Sequence, residues 1–77
     1  MKKEPLTQSQ YNVLRYIEDF ILKNGYPPTR SEIARGMQFG SANSAQQHIK
    51  RIEEKGYIEI SPGVSRGIRI VDNLGVL

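Results

Sequence analysis

Three times along the first two-thirds of the chain, apolar residues recur at three- and four-residue spacing; after that the period shortens to two. The first run is Val13, Leu14, Ile17, Phe20 and Ile21, with Tyr11 one turn before Leu14, while Glu18, Asp19 and Lys23 fall off the stripe. Such spacing keeps one face of an α-helix apolar. Ahead of it, Thr7-Gln8-Ser9-Gln10 has the form of a capping box, with Thr7 at the N-cap and Gln10 three positions on. Gly25 offers a left-handed C-terminal cap, so the first helix is expected from about residue 8 to 24.

Tyr26-Pro27-Pro28 cannot continue a helix, because each proline pushes the residue before it into an extended conformation. This strap leads to a second capping box, Thr29-Arg30-Ser31-Glu32, and a short helix whose buried side is Ile33, Ala34 and Met37. Gln38-Phe39-Gly40 reads as a tight turn with Phe39 plugging the core, and Ser41 as the next N-cap. Ala45, Ile49 and Ile52 form the inner face of a third helix over about 42 to 55, which Gly56 closes.

Beyond Gly56, the segment Tyr57-Ile58-Glu59-Ile60 is a β-branched and aromatic strand, Ser61-Pro62-Gly63 a turn, and Ile68-Arg69-Ile70 the returning strand. The expected fold is mainly α with a small β-hairpin, a three-helix winged helix-turn-helix. It occupies residues 1–70, and 71–77 read as a C-terminal tail or linker stub. The chain contains no repeat and no low-complexity tract.

Composition narrows the function classes. With 77 residues and 38% hydrophobic positions, the chain supports one small core, too thin to surround a buried catalytic cleft. There is no cysteine, which excludes disulfides and thiolate zinc sites, and one histidine, His48, has no second to share a metal with. No metal or cofactor is expected. Nor does any acid, base and nucleophile set suggest an enzyme. No run approaches the roughly 20 apolar residues of a membrane span, and no apolar segment follows the basic start as in a signal peptide, so a cytoplasmic location is expected. Eleven basic against 8 acidic residues give a net charge of +3, a mild bias compatible with nucleic acid.

Two short helices joined by a turn of three or four residues make a helix-turn-helix, whose second helix is the reader. The outward side of the third helix carries Asn43, Ser44, Gln46, Gln47, Lys50, Arg51 and Glu54. Asn and Gln pair in bidentate fashion with adenine in the major groove, and Ser bonds several base edges. N-terminal residues of such a helix meet bases, so Ser41, Asn43, Ser44, Gln46 and Gln47 are the expected base-contacting set. Any one of these alone reads equally well as a solvated surface residue. Together they put uncharged amides and hydroxyls where a surface helix usually carries Glu and Lys.

Val64-Ser65-Arg66-Gly67-Ile68-Arg69 places two arginines on the hairpin, with Gly67 letting the backbone approach a partner. Arg66 is the wing's expected phosphate or minor-groove contact, against the alternative of a solvated arginine. Lys55 is expected to grip phosphate, to complement the helix C-terminal dipole, or both. Arg30, in the first turn of the second helix, is a further backbone-contacting residue. His48 reads as a packing or phosphate-side residue. Tyr11, Tyr16, Tyr26 and Tyr57 are spread over different elements and belong to the core or its edge rather than to a stacking platform.

At this point a resemblance enters. Gly25-Tyr26-Pro27-Pro28-Thr29-Arg30-Ser31-Glu32-Ile33-Ala34 resembles the G-x-P-P-T-R-x-E-I-A run of the LexA repressor family's DNA-binding domain. Phe39-Gly40-Ser41-Ala42-Asn43-Ser44-Ala45-Gln46-Gln47-His48 is similar to that family's recognition segment. Lys55-Gly56-Tyr57-Ile58-Glu59-Ile60, with Ser65-Arg66-Gly67-Ile68-Arg69, is similar to its strand and wing. The likeness runs from Leu6 to about Ile70 with the family's spacing. It implies a transcriptional repressor that reads operators of the SOS-box type in double-stranded DNA, with Ser41, Asn43, Ser44, Gln46 and Gln47 at the family's base-contacting positions.

The departures are specific. Members of the family commonly carry glutamates at the positions of Gln46 and Gln47, an alanine at Ser44, a proline at Ala42, and Gly-Phe-Arg at Gln38-Phe39-Gly40. Glutamate accepts from cytosine N4 whereas glutamine donates and accepts, so base preference is expected to differ. Two fewer negative charges beside phosphates should strengthen general DNA affinity. The altered turn and first helical residue bear on the docking angle. The family's second domain, with its Ser-Lys self-cleavage dyad and dimer interface, has no counterpart in the 77 residues, so the sequence is expected to be an excised domain or a naturally short relative without self-cleavage. A single reader helix covers one half-site, and a homodimer on DNA or fusion to a dimerisation domain is the expected route to a full operator. The rival reading is a winged-helix protein-interaction module, an antirepressor or adaptor, using an apolar surface such as tail residues Leu74, Val76 and Leu77.

Overall fold

The computed structural model describes residues 4–71. Helix α1 spans Gln8–Asn24, α2 Arg30–Met37 and α3 Ala42–Glu54, followed by strands β1 (Ile58–Ile60) and β2 (Ile68–Ile70). Both expected capping boxes are formed. Thr7 Oγ1 accepts from the N–H of Gln10 at 3.2 Å while Gln10 Oε1 accepts from that of Thr7 at 3.1 Å. Thr29 and Glu32 repeat the pair at 3.1 and 2.9 Å. Each box satisfies N–H groups that the first turn leaves without partners. Gly25, at φ 80°, closes α1 by donating to Ile21 O.

Helix α3 ends one residue earlier than its apolar pattern suggested. Lys55 keeps a right-handed conformation (φ −82°, ψ −4°), and Gly56 turns left-handed at φ 92°. The hairpin is antiparallel, with Ile58 opposite Ile70, Glu59 opposite Arg69 and Ile60 opposite Ile68. Tyr57 precedes β1, yet its carbonyl accepts from Val71 N at 2.9 Å, so pairing reaches one residue past the expected end at 70. The tail read over 72–77, including Leu74, Val76 and Leu77, lies outside the described residues.

The core joins the three helices to the hairpin. Val13, Leu14 and Ile17 from α1, Ile33 and Ala34 from α2, Ala45, Ile49 and Ile52 from α3, and Ile58 and Ile68 from the strands are all buried. Each large aliphatic side chain removed from water contributes roughly 1.5–3 kcal/mol before entropy is counted. Helix α3 packs against α2, α1 and β1, so its inner stripe is held from three sides and its outer face remains free. Glu18, expected off the stripe, is fully buried instead. It lies one turn from Leu14 and Ile21, close enough to the stripe's flank to be covered by what packs there.

Candidate nucleic-acid interface

The presented face begins at the turn. Gln38 caps α2 in the left-handed region, at φ 61° and ψ 35°, and its N–H donates to the last carbonyls of the helix. Phe39 then donates from its backbone to Ala34 O at 2.8 Å and packs its half-buried ring against the core. That ring also stacks on His48, at 4.6 Å between centroids and 20° between planes. Turn and reader helix are thereby fastened together by one aromatic contact. Since a carbonyl only accepts, Nδ1 of His48 donates to Ser44 O at 2.8 Å, which fixes the ring's tautomer and turns Nε2 away from that bond. His48 is therefore a packing residue on the flank of α3.

The N-cap of α3 is Ser41, extended at φ −159° and ψ 161°, whose Oγ accepts from Ser44 N at 3.4 Å. Beyond it, Asn43, Gln46, Gln47, Lys50, Arg51 and Glu54 are exposed, Ser44 and His48 are half-buried, and Ala45, Ile49 and Ile52 face inward. All five expected base-contacting residues thus lie on the N-terminal half of one helix, four of them exposed. No acidic residue stands in the first turn. At about 1.5 Å per residue a helix of this length runs about 20 Å, and its N-terminal half suits a groove about 12 Å wide.

The three expected backbone-contacting cations are placed differently from one another. Arg30 is half-buried at the start of α2, where Thr29, Arg30, Ser31, Ala42 and Ser65 line a shallow recess between two helix N-termini and the wing. Its Nε is buried with no hydrogen-bond partner among the described residues. Lys55 turns inward: its ammonium donates to Pro5 O at 2.8 Å and to Gln10 Oε1 at 2.6 Å. Arg66 is engaged with α2. Nη1 donates to Pro27 O and to Glu32 Oε1, both at 2.8 Å, and Nη2 to Glu32 Oε2 at 2.9 Å. Its guanidinium carbon lies 4.6 Å from the Tyr26 ring centroid. The Arg66 hydrogen bond, followed by that from Thr29 N–H, holds the Glu32 carboxyl at about 2, against an ordinary 4.5.

The partners of Arg66 and Lys55 are what sequence reasoning missed. Tyr26, expected at the core or its edge, is 46% exposed with its face under Arg66 and its edge toward Phe20 at 5.9 Å. Gly67 also differs from expectation. A Cβ there would lie 2.9 Å from Ser61 O and 3.0 Å from Val64 Cβ, so the missing side chain serves the wing's own turn rather than an approaching partner. Arg69 pairs with Glu59 across the hairpin.

Three helices packed around one core, a helix-turn-helix with its second helix outward and polar, and a hairpin wing beside it define a winged helix-turn-helix domain of the DNA-binding class. Residues 3–67 match the family model described as the LexA DNA binding domain. The chain is 53% identical over 70 residues to a LexA repressor of Pseudoalteromonas atlantica, covering 91% of this chain and 34% of that protein. It is 53% identical over 68 residues to one from Cellvibrio japonicus, covering 88% and 34%. Against one from Haemophilus influenzae it is 52% identical over 69 residues, covering 90% and 33%. The chain belongs to the LexA DNA-binding domain family, and it spans about a third of the length of the curated relatives it matches. No helix among the described residues is long and apolar enough to cross a membrane, and no cluster of His, Cys, Asp and Glu there could hold a metal ion.

Proposed function

We propose that the chain binds double-stranded DNA sequence-specifically, with the N-terminal half of α3 in the major groove, as the reading module of a LexA-like transcriptional repressor. The observation that carries this is the two-sidedness of α3. Its inner stripe is buried to the last residue, while exposed amides and hydroxyls occupy the outer face ahead of Lys50 and Arg51. Asn43, Gln46 and Gln47 supply bidentate amides, and Ser41 and Ser44 supply hydroxyls that retain a proton to donate beyond their helix bonds. The Nε of Arg30, unpartnered among the described residues in the recess beside α2, supports reading it as the cation that takes phosphate. Lys55, bonded only to neutral oxygens, adds to the positive field around the groove, whereas the charge of Arg66 is offset by Glu32.

One domain reads one half-site, so a full palindromic operator takes two copies, paired on DNA or through further chain. A cytoplasmic repressor of this kind needs no cofactor. The test is a binding titration on a palindromic duplex selected from a random library and on its scrambled counterpart, at several salt concentrations. Wild type should prefer the selected duplex. Asn43→Ala and Gln47→Ala should each lose roughly 1–3 kcal/mol of that preference. Equal binding to both duplexes, with only a salt dependence, overturns the reading.

A further inference from the structure

We infer that Arg66 is the strut that sets the wing against the helix-turn-helix, and that Glu32 acts through it as a positioning residue for DNA binding. This rests on the DNA-binding reading above. The base of the wing is anchored, with Ile58 and Ile68 in the core and Ile60 N–H donating to Glu53 Oε2 of α3 at 3.0 Å. The loop beyond the strands has little of its own to hold it in place. The strands are three residues each, and the loop between them is closed by Ser61 N–H to Gly67 O at 2.8 Å and Gly67 N–H to Val64 O at 3.2 Å. An isolated two-stranded hairpin is marginal in water. Val64, at its tip, is 52% exposed and is not among the residues that pack against the core.

Arg66 makes the connection that the ladder does not. Every partner of its guanidinium, namely Tyr26, Pro27 O and Glu32, belongs to the strap and first turn leading into α2, 34 to 40 residues earlier in the chain. Two parallel N–H bonds to one carboxylate, with the guanidinium plane over an aromatic ring, use the geometry particular to arginine. The anchor is itself fixed, because Glu32 Oε1 also accepts from Thr29 N at 2.9 Å in the capping box of α2. The result places Ser65, the neighbour of the strut, in one recess with Arg30 of α2 and Ala42, the first residue of α3. A wing free to swing would lose its register with the reader helix and with any DNA backbone that both touch.

A strut and a phosphate contact predict opposite signs for one substitution. If Arg66 served phosphate and Glu32 merely held it back, Glu32→Gln would release the arginine and remove a negative charge, and DNA binding would tighten. If Arg66 is a strut, the same change weakens binding. The substitution suits the purpose because glutamine serves equally as the third-position partner in a capping box, as Gln10 does in α1. The cap of α2 therefore survives while the ion pair is lost.

The experiment compares wild type, Glu32→Gln, Arg66→Ala, Arg66→Lys and the double variant Glu32→Gln/Arg66→Ala. Titrations use the selected duplex, and backbone amide exchange is measured without DNA. Glu32→Gln and Arg66→Ala should each weaken binding about twofold to fivefold, the upper range for a half-exposed pair of good geometry. The double variant should be no worse than Arg66→Ala alone, and Arg66→Lys should not restore wild-type affinity. Without DNA, the amides of Ser61 and Gly67 should exchange faster in both single variants while those of Ile49 and Ile52 keep their protection. Binding by Glu32→Gln as tight as wild type or tighter, or unchanged exchange at Ser61 and Gly67, overturns the inference. A wild-type chain that fails to prefer its selected duplex sinks the DNA-binding reading instead, and the exchange data still decide whether the strut exists.

Discussion

The ring of Tyr16 occupies the space where a side chain on Gly36 would begin, and its hydroxyl donates to Glu32 O at 3.2 Å. Helix α2 therefore has a glycine near its C-terminal end for the sake of α1. Helix propensity alone says that Gly36→Ala stabilises, by up to about 1 kcal/mol. Packing says the reverse, because the new methyl would overlap the ring, which Phe20 flanks at 6.1 Å. Overpacking of this kind costs about 1–3 kcal/mol, so a net loss is expected in a denaturant melt. Pairing Gly36→Ala with Tyr16→Leu should recover part of it. A single variant more stable than wild type would show that the ring yields freely.

Gln38 predicts the opposite sign for a glycine. It holds φ 61° at the end of α2, where a residue with a Cβ pays roughly 1–2 kcal/mol, and its side chain is exposed. Gln38→Gly should raise stability by about 0.5–1 kcal/mol after the entropy of the unfolded glycine is counted. Gln38→Val should lower it by at least as much. Thermal melts of the two variants in one buffer check both signs.

Glu32 sets an acid limit on the wing. Its carboxyl is held at about 2 in the folded chain, first by the Arg66 hydrogen bond and then by Thr29 N–H, against an ordinary 4.5. A depressed carboxyl favours the folded state fully above the ordinary value, and that contribution is lost as pH falls from about 4.5 through about 2. The Arg66 contacts should therefore persist at pH 4. Melting temperature should fall less between pH 5 and pH 2.5 in Glu32→Gln than in wild type. A carboxyl titration followed by NMR should find the Glu32 midpoint near 2; a midpoint near 4.5 contradicts the bidentate pair.

Lys55 gives a second contrast between charge and structure. Its bonds to Pro5 O and Gln10 Oε1, with that of the Tyr57 hydroxyl to Glu4 O at 3.1 Å, fasten the segment before α1 to the end of α3. Lys55→Met keeps the apolar stem and removes the donors. It should cost about 1 kcal/mol of stability, the scale of hydrogen bonds that are partly solvated. The salt slope of DNA binding should change by well under the 0.9 or so of one phosphate contact. A full loss of that slope with unchanged stability would assign Lys55 to phosphate.

The elements were legible because local signals agreed. Thr7 and Thr29 with their third-position partners, Gly25 and Gly56 beyond the ends, and the Ala45-Ile49-Ile52 stripe each act within a few residues. The exposed face of α3 followed from the same stripe, since whatever lies opposite a buried stripe is exposed. What the sequence concealed acts at long range. Nothing near Arg66 indicates that a glutamate 34 residues earlier will take its fork, nor anything near Lys55 that Gln10 lies 45 residues away within reach. Glu18 looked like a surface residue because its burial depends on what covers the flank of α1. Gly36 was the one long-range contact with a local trace, since a glycine inside a helix has a cost and implies a close approach.

In the DNA-binding reading proposed above, Gln46 and Gln47 are the residues that should set this helix apart from one with an acidic pair at the same positions. Both are exposed in the second turn of α3 and make no side-chain hydrogen bond among the described residues that a glutamate would break, and glutamate has nearly the same helix propensity. The double variant Gln46→Glu/Gln47→Glu should therefore melt within about 0.5 kcal/mol of wild type. Its DNA binding should not be so indifferent. Two negative charges facing the phosphates should weaken binding to any duplex by roughly fivefold to tenfold at low salt, with the gap narrowing as salt screens it. Selection from a random library should shift toward cytosine at the contacted positions, because a carboxylate accepts from N4 and cannot donate to adenine N7. Both effects can be read from titrations at two salt concentrations and one round of selection. Unchanged affinity at low salt together with an unchanged selected sequence would place this half of α3 away from the groove.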